Sequence, residues 1–334
     1  MNETCSLKHP LALPYLVAIL VVGIAAVFAN GILLIVLLFD PLKCFRRPSM
    51  YFITSLGFSD LLTGIVSCLY SIYHIQSCSS KEATRYDSDY LSKVIKSTIW
   101  ASVENSFITV LLMAIERYIF IKFPIKAKSI VTVKRIFLAI GVTWLVSLIF
   151  GAGVSLSHPY DKYIKFGILF QLLFLIFVML FLYVRIIILL GKSFKAFQGK
   201  QFSRHCSIRS GKAQMENQHQ SFLNKIVFYL ALILFITVVP HLIIGQIFLG
   251  FEIFFRSYAK PKALEYASFI SFPLELLNFV LNAVVYAYRL PKFRSSLCHI
   301  LRGIRGKVSS QRSRYIYEPS NFSIRVSTKE ETVA

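Results

Sequence analysis

Apolar residues in this chain do not alternate with polar ones at the period of a strand. They gather into seven long runs, at roughly 14–39, 50–75, 91–120, 134–156, 164–192, 221–249 and 263–288. A helix rising 1.5 Å per residue needs about 20 apolar residues to cross a bilayer. Each run meets that length. In hydrocarbon a backbone must satisfy its own hydrogen bonds, so all seven are predicted to be helices. There is no β alternation, no repeat of 20–50 residues and no low-complexity tract. The predicted fold class is an all-α membrane protein, a seven-transmembrane helix bundle. Residues 1–13 form an outer segment, 14–288 the bundle, 289–302 a short amphipathic eighth helix, and 303–334 a disordered tail.

The third run differs from the others. It carries Ser97, Thr98, Ser102, Glu104, Asn105, Ser106 and Thr109. A helix this polar belongs in the middle of a bundle, away from lipid.

Composition sharpens the picture. The 334 residues are 56% hydrophobic and 16% charged, against about 25% charged in soluble domains. The net charge of +21 suggests nucleic acid until its location is read. Of the 37 Lys and Arg residues, 27 fall on one side of the predicted membrane. The positive-inside rule puts that side in the cytoplasm, the N-terminus outside and the C-terminus inside. The charge therefore reports topology and attraction to anionic membrane lipids, not a nucleic-acid partner. The first span is expected to serve as an uncleaved signal, its apolar run being too long for a signal-peptide core. The expected location is the plasma membrane.

Buried acids mark where chemistry is concentrated. Asp60, Glu104 and Glu275 lie within predicted spans. Facing lipid they would cost on the order of 8–10 kcal/mol together, so they are expected to face the interior and find partners. Asn278 and Asn282 follow Glu275 by three and seven residues and share its helix face. Glu104 precedes Ser106 by two residues, about 200° around the helix, so the two point to different sides.

The order of motifs is specific. Asn30 stands in "FANGILLIVL" on the first span, and Asp60 in "RRPSMYFITSLGFSDLL" on the second. Glu116-Arg117-Tyr118 ends the third span in "MAIERYIFIKFP". Trp144 lies on the fourth, Tyr183 on the fifth, Pro240 on the sixth and "NAVVY", Asn282 to Tyr286, on the seventh. In that order and at those depths they resemble the rhodopsin-like (class A) G-protein-coupled receptors, over about 14–302. The resemblance implies a switch: Arg117 pairs with Glu116 at rest and is released on activation to meet Tyr183, Tyr286 and a heterotrimeric G protein. It also implies a polar core of Asn30, Asp60, Ser106, Asn278 and Asn282. Asp60 and Ser106 match the family's sodium positions, and oxygen donors suit a hard cation; a water-filled polar cluster is the alternative. Apart from that possible structural sodium, no cofactor is expected. Glu104, Gln171, His241 and Glu275 are the candidate ligand-pocket residues, an interhelical hydrogen bond being the alternative for Glu104 and His241.

Several positions depart from the family pattern. Ser92 stands where a cysteine usually ends the third span, and the second outer loop, "SHPYDKY" at 157–163, has none, so the common disulfide cannot form. Cys5 and Cys78 are the remaining candidates for an outer bridge, two free thiols being the alternative. Leu175 replaces the fifth-span proline, Val238 the sixth-span tryptophan and Ala283 the proline of N-P-x-x-Y. Gln220 stands where many relatives keep an acidic partner for Arg117. These losses predict basal activity. Ile99, in place of an aspartate, argues against a biogenic amine, and Leu276, in place of a lysine, against bound retinal. The short outer loop resembles that of melanocortin receptors. A small molecule, a lipid or a short peptide entering the bundle is the expected ligand.

On the cytoplasmic side, Phe293, Leu297, Ile300 and Leu301 alternate with basic residues, as an interfacial helix does. Cys298 is a palmitoylation candidate beside the alternative of a plain apolar-face cysteine. The third inner loop, 193–220, is expected to be mobile. The tail serines and threonines suit receptor kinases and arrestin. Asn2 opens an outer glycosylation sequon. Two other classes were weighed. A transporter would show paired repeats and helices broken at matching positions. A membrane enzyme would show a metal or nucleophile cluster, and the seven histidines have no such spacing. A receptor-like partner that does not itself signal is the nearer alternative.

Overall fold

The computed structural model describes residues 11–42, 45, 48–79, 85–156, 160–201, 210–255, 261–289 and 293–302. Nearly all of them are helical. In chain order the helices are α1 (Ala12–Phe39), α2 (Pro48–Ser79), α3 (Arg85–Lys122), α4 (Pro124–Ile130), α5 (Val133–Leu156), α6 (Asp161–Gln201), α7 (Ser210–Phe254) and α8 (Lys262–Arg289). A short α9 covers 293–302. Seven of these, all but α4 and α9, are long and apolar enough to cross a membrane.

Helix α1 shows how apolar sequence is shared between lipid and protein. It is hydrophobic all round, yet Leu16, Ile19, Ala26, Asn30, Leu33 and Leu37 are buried. Val17, Val21, Ile24, Phe28, Ile32 and Ile35 are exposed. The exposed set recurs every three or four residues, one outward stripe at the helical period. In water such a stripe would be an aggregation site; against lipid it is the solvent-facing surface.

Helix α3 is the inner helix. In its most apolar stretch 72% of the residues are buried, against 22% for α5 and α7. It contacts α2, α4, α5, α6 and α7, while α1 packs between α2 and α8. Its polar residues bind neighbouring helices: Ser59 Oγ on α2 donates to the Ser102 carbonyl at 2.8 Å. On α5, Trp144 Nε1 donates to Ser55 Oγ at 3.1 Å and its ring meets Phe58 edge-on.

With no hydrophobic drive between helices in lipid, close packing of small residues holds them together. A Cβ on Gly64 of α2 would lie 3.0 Å from the Gly23 carbonyl oxygen and from Val27 N of α1. A Cβ on Gly151 of α5 would lie 2.8 Å from Ala101 Cβ and overlap the Ser97 carbonyl oxygen of α3.

Three local features go beyond the sequence expectation. Helix α4 follows the third span, with Pro124 in its first turn, where the missing N–H has no helical partner to lose. Pro273 lies inside α8, as Pro240 lies inside α7. The expected third inner loop is largely helical: α6 continues to Gln201 and α7 starts at Ser210. Those stretches contain ordinary helix formers, and nothing compels a helix to stop where its apolar run does. Helix α9 packs Phe293 and Ser296 inward, with Leu297 and Ile300 partly buried, and exposes Arg294, Cys298 and Arg302. Asn2, Cys5, the Cys78 and Gln220 side chains and the tail from 303 lie outside the described residues.

Candidate functional site

Three polar constellations lie along the inside of the bundle. The first is at the end where α3 finishes. Arg117 Nη2 lies 2.9 Å from Glu116 Oε1, and both side chains are 3% exposed. Ser49 of α2 joins them: its Oγ donates to Glu116 Oε1 at 2.5 Å and accepts from Arg117 Nη2 at 2.5 Å. The guanidinium also sits 5.4 Å from the centroid of the Phe120 ring. A charge this deep requires such compensation. Glu116 Oε2 is buried with no hydrogen-bond partner among the described residues.

Sequence reasoning missed Ser49. Its signal was present, a hydroxyl in the first turn of α2 beside the Pro48 that starts the helix, but only packing brings it to Glu116. Tyr118 is half-buried, and Lys122 Nζ lies 5.2 Å from its ring centroid. Tyr183 and Tyr286 are buried. Tyr286 OH points to Met113 Sδ at 3.9 Å, and Tyr183 meets Phe228 edge-on.

The second constellation is at mid-bundle. Asp60, fully buried, accepts from Ser106 Oγ at 3.2 Å and from Asn282 Nδ2 at 2.9 Å. It thereby ties α2 to α3 and α8. Asn30 Nδ2 donates to the Ala26 and Phe279 carbonyls, each at 3.0 Å, fastening α1 to α8. Asn278 is buried, and both of its amide atoms are without a hydrogen-bond partner among the described residues. Asn105 shares that condition.

The third constellation is nearer the end where α1 begins. His241 Nε2 lies 3.2 Å from Glu275 Oε2, and His241 Nδ1 lies 3.0 Å from Ser271 Oγ. This pair links α7 to α8 just after Pro240 and just after Pro273. Glu104 is separate: Gln171 Nε2 donates to Glu104 Oε1 at 2.6 Å, joining α3 to α6, and Glu104 Oε2 is buried without a partner among the described residues. Glu104 and Ser106 therefore reach opposite neighbours, α6 and α2, as a two-residue step around a helix requires.

A cavity of about 290 Å³ opens above this third constellation. Its walls are Tyr15, Tyr70, Ile99, Trp100, Val103, Leu169, Leu172 and Phe272, with Lys96, Lys165, His241 and Glu275 supplying the titratable groups. Of the four pocket candidates, His241 and Glu275 line it; Glu104 and Gln171 do not. Apart from Ile99, the other wall residues were not singled out from sequence, because apolar residues on a span read equally well as lipid-facing. Their signal was the spacing of Lys96 and Lys165, each followed at four and seven residues by apolar side chains on the same face.

Seven membrane-length helices with polar α3 innermost, a buried Arg117–Glu116 pair at one end and a cavity at the other, are the architecture of a class of membrane receptor. The sequence model described as "7 transmembrane receptor (rhodopsin family)" matches residues 29–286. The chain belongs to that family of receptors, and it is not an enzyme. It is similar to the adenosine receptor A3 of Bos taurus, 23% identical over 308 residues, spanning 86% of this chain and 89% of that one. The adenosine receptor A3 of Canis lupus familiaris is 20% identical over 302 residues, covering 86% and 90%. Among solved structures, squid rhodopsin superposes with a TM-score of 0.71 at 18% identity, over 87% of this chain and 85% of that one.

Proposed function

We propose that this receptor takes an extracellular ligand into the cavity bounded by Tyr15, Trp100, His241 and Glu275, and activates a heterotrimeric G protein at the opposite, cytoplasmic end. On this reading the N-terminus is outside and the C-terminus inside the plasma membrane, the arrangement the distribution of Lys and Arg favours. Small molecule remains the ligand kind best matched to a cavity of this size. Receptor kinases, arrestin and lipid attachment at the exposed Cys298 belong to the same cytoplasmic face.

The observation that carries the reading is the Glu116–Ser49–Arg117 triangle. Arg117 is a permanent cation held by the Glu116 carboxylate and the Ser49 hydroxyl at a helix end, and in the proposed active state it exchanges these partners for others. A ligand shifts such an equilibrium by binding one state better than the other. The His241–Glu275 pair couples the cavity to this equilibrium. It fastens α7 to α8 at their proline-containing turns, where each helix lacks a backbone hydrogen bond and bends most readily. With Val238 in the place of tryptophan, the resting state lacks a bulky aromatic at the α7 turn below the cavity, and basal signalling follows.

The test uses receptor in lipid nanodiscs with purified heterotrimers from each G-protein subclass and no ligand. Guanine-nucleotide exchange above that of empty discs is expected with at least one subclass. Glu116→Gln, which removes the charge holding Arg117, is expected to raise exchange several-fold. No exchange from either protein with any subclass would overturn the proposal.

The mid-bundle cluster fits a sodium ion. Asp60 supplies the charge and Ser106 a hydroxyl, and on α8 the buried amide oxygen of Asn278, one turn from Asn282, has no hydrogen-bond partner among the described residues. Hard cations take oxygen donors of this kind. A bound ion would supply a positive charge beside Asp60 in the resting bundle. Thermal denaturation is expected at higher temperature in sodium chloride than in choline chloride of equal ionic strength, since a ligand of the folded state stabilises it. Asp60→Asn should remove the difference; an unchanged difference would place sodium elsewhere.

A further inference from the structure

The cavity has a polarity that runs along its depth. Lys96, Trp100 and Val103 lie at i, i+4 and i+7 on α3, and Lys165, Leu169 and Leu172 repeat that spacing on α6. These spacings put each lysine at the mouth end of a single apolar helix face. Seven residues at 1.5 Å rise carry each face about 10 Å inward. Both helices run inward from the same side, so the two ammonium groups share one rim and the two apolar stripes share one shaft. Aromatic rings of Tyr15, Tyr70 and Phe272 close the remaining wall. At the inner end stands Glu275, its carboxylate engaged by His241 at 3.2 Å.

We infer that the cavity takes a small amphipathic anion, with a carboxylate or phosphate-monoester head at Lys96 and Lys165 and an apolar body lying along Trp100, Val103, Leu169 and Leu172. This deepens the receptor proposal, on which it rests for the direction of entry. Lys165 already holds Asp161 at 2.9 Å, with both groups about a third exposed. A pair that exposed is weakly held, so an incoming anion joins it at little cost in lost attraction. The rim argues against a ligand of reversed polarity. A cationic head group there would meet two ammonium groups of its own sign. A neutral apolar ligand would gain no charge-assisted contact from the rim lysines. The head group fixes the orientation, and the apolar shaft supplies affinity in proportion to the area it removes from water.

Binding is tested separately from signalling, so failure here and failure of the receptor proposal are distinguishable. The receptor is placed in nanodiscs of neutral lipid, and tryptophan emission is followed. The chain has two tryptophans, and only Trp100 lines the cavity. The probes are decanoate, octyl phosphate and decanol. A saturable change is expected with at least one of the two anions and not with decanol over the same range. Lys96→Gln with Lys165→Gln should weaken anion binding by at least roughly tenfold, the effect expected of losing a charge-assisted contact. Lys96→Arg with Lys165→Arg should retain it, which also controls for folding. Equal binding of decanol, undiminished binding by the double glutamine variant, or no saturable binding of either anion would each overturn the inference.

Discussion

Gly151→Leu is expected to leave almost no receptor at the cell surface. Helix α5 crosses α3 at Gly151, and a Cβ there already lies 2.8 Å from Ala101 Cβ and 3.0 Å from Ala101 N. It would also overlap the Ser97 carbonyl oxygen. The obstruction is α3 backbone and the Ala101 Cβ fixed to it, so no rotamer change relieves it and the two helices must separate. Overpacking a close-packed interior typically costs about 1–3 kcal/mol, and more where the backbone cannot move. Here separation also strains the Trp144–Ser55 hydrogen bond between α5 and α2. Membrane helix association depends on such contacts, because lipid offers apolar surface as good as a neighbouring helix does. Surface labelling of an epitope-tagged receptor checks it, with a fall of more than tenfold expected. Gly141→Leu on the same helix is the control: a Cβ at Gly141 meets nothing within 4 Å, and surface level should hold. Equal surface levels for both variants would disprove the close-contact argument.

Arg117→Ala is expected to abolish G-protein signalling, basal and ligand-driven alike. The argument turns on what Arg117 alone supplies: a planar cation with five donors that never loses its charge. At rest those donors serve Glu116 and Ser49. In the proposed activated state those donors turn to the G-protein side, and alanine offers nothing in their place. A confounding effect must be separated. Removing Arg117 strands the Glu116 carboxylate, 3% exposed, with one serine hydroxyl. An uncompensated buried charge costs about 3–5 kcal/mol, so the single variant should also lose stability. Glu116→Gln combined with Arg117→Ala removes both charges. It is expected to recover near-normal surface level and thermal stability while nucleotide exchange stays at the level of empty discs. Signalling that returned with stability would mean Arg117 serves only the fold.

Both predictions depend on contacts that differ in how legible they are from sequence. Seven spans followed from the length of the apolar runs, because a bilayer imposes a length that no soluble core does. The inner place of α3 followed from its seven polar residues, since each would be costly against lipid. That Glu104 and Ser106 reach different helices followed from helix geometry alone. The ends of α6 and α7 did not follow. Their helices run past the apolar stretch, and hydropathy reports only where lipid begins. Helix α4, with two lysines in seven residues, carries no apolar periodicity to announce it.

The candidate sites divide in the same way. Asp60, Arg117 and Glu275 stood out because an ionisable group in a predicted span is rare and demands a partner. The partners were harder to name. Ser49 and Ser271 are ordinary hydroxyls in sequence, and they matter because folding sets one against the Glu116–Arg117 pair and the other against His241. Glu104 and Gln171 were grouped with the pocket, but the structure joins them to each other outside its lining. Lys96 and Lys165 lie 69 positions apart, and neither is conspicuous near the end of a span, where lysines commonly sit.

By itself, then, the sequence determined the number of spans, their helical state, which helix lies inside and which acids cannot face lipid. Those are one-dimensional consequences of solvent: a bilayer acts on every residue in the same way, so its demands are written along the chain. Tertiary structure alone decided which hydroxyl joins the Arg117–Glu116 pair, which acid lines the cavity, where α5 touches α3, and that two distant lysines line one cavity. Those depend on the rotation of each helix about its axis and on the small residues that set helix spacing, and both are settled only when the helices pack against one another.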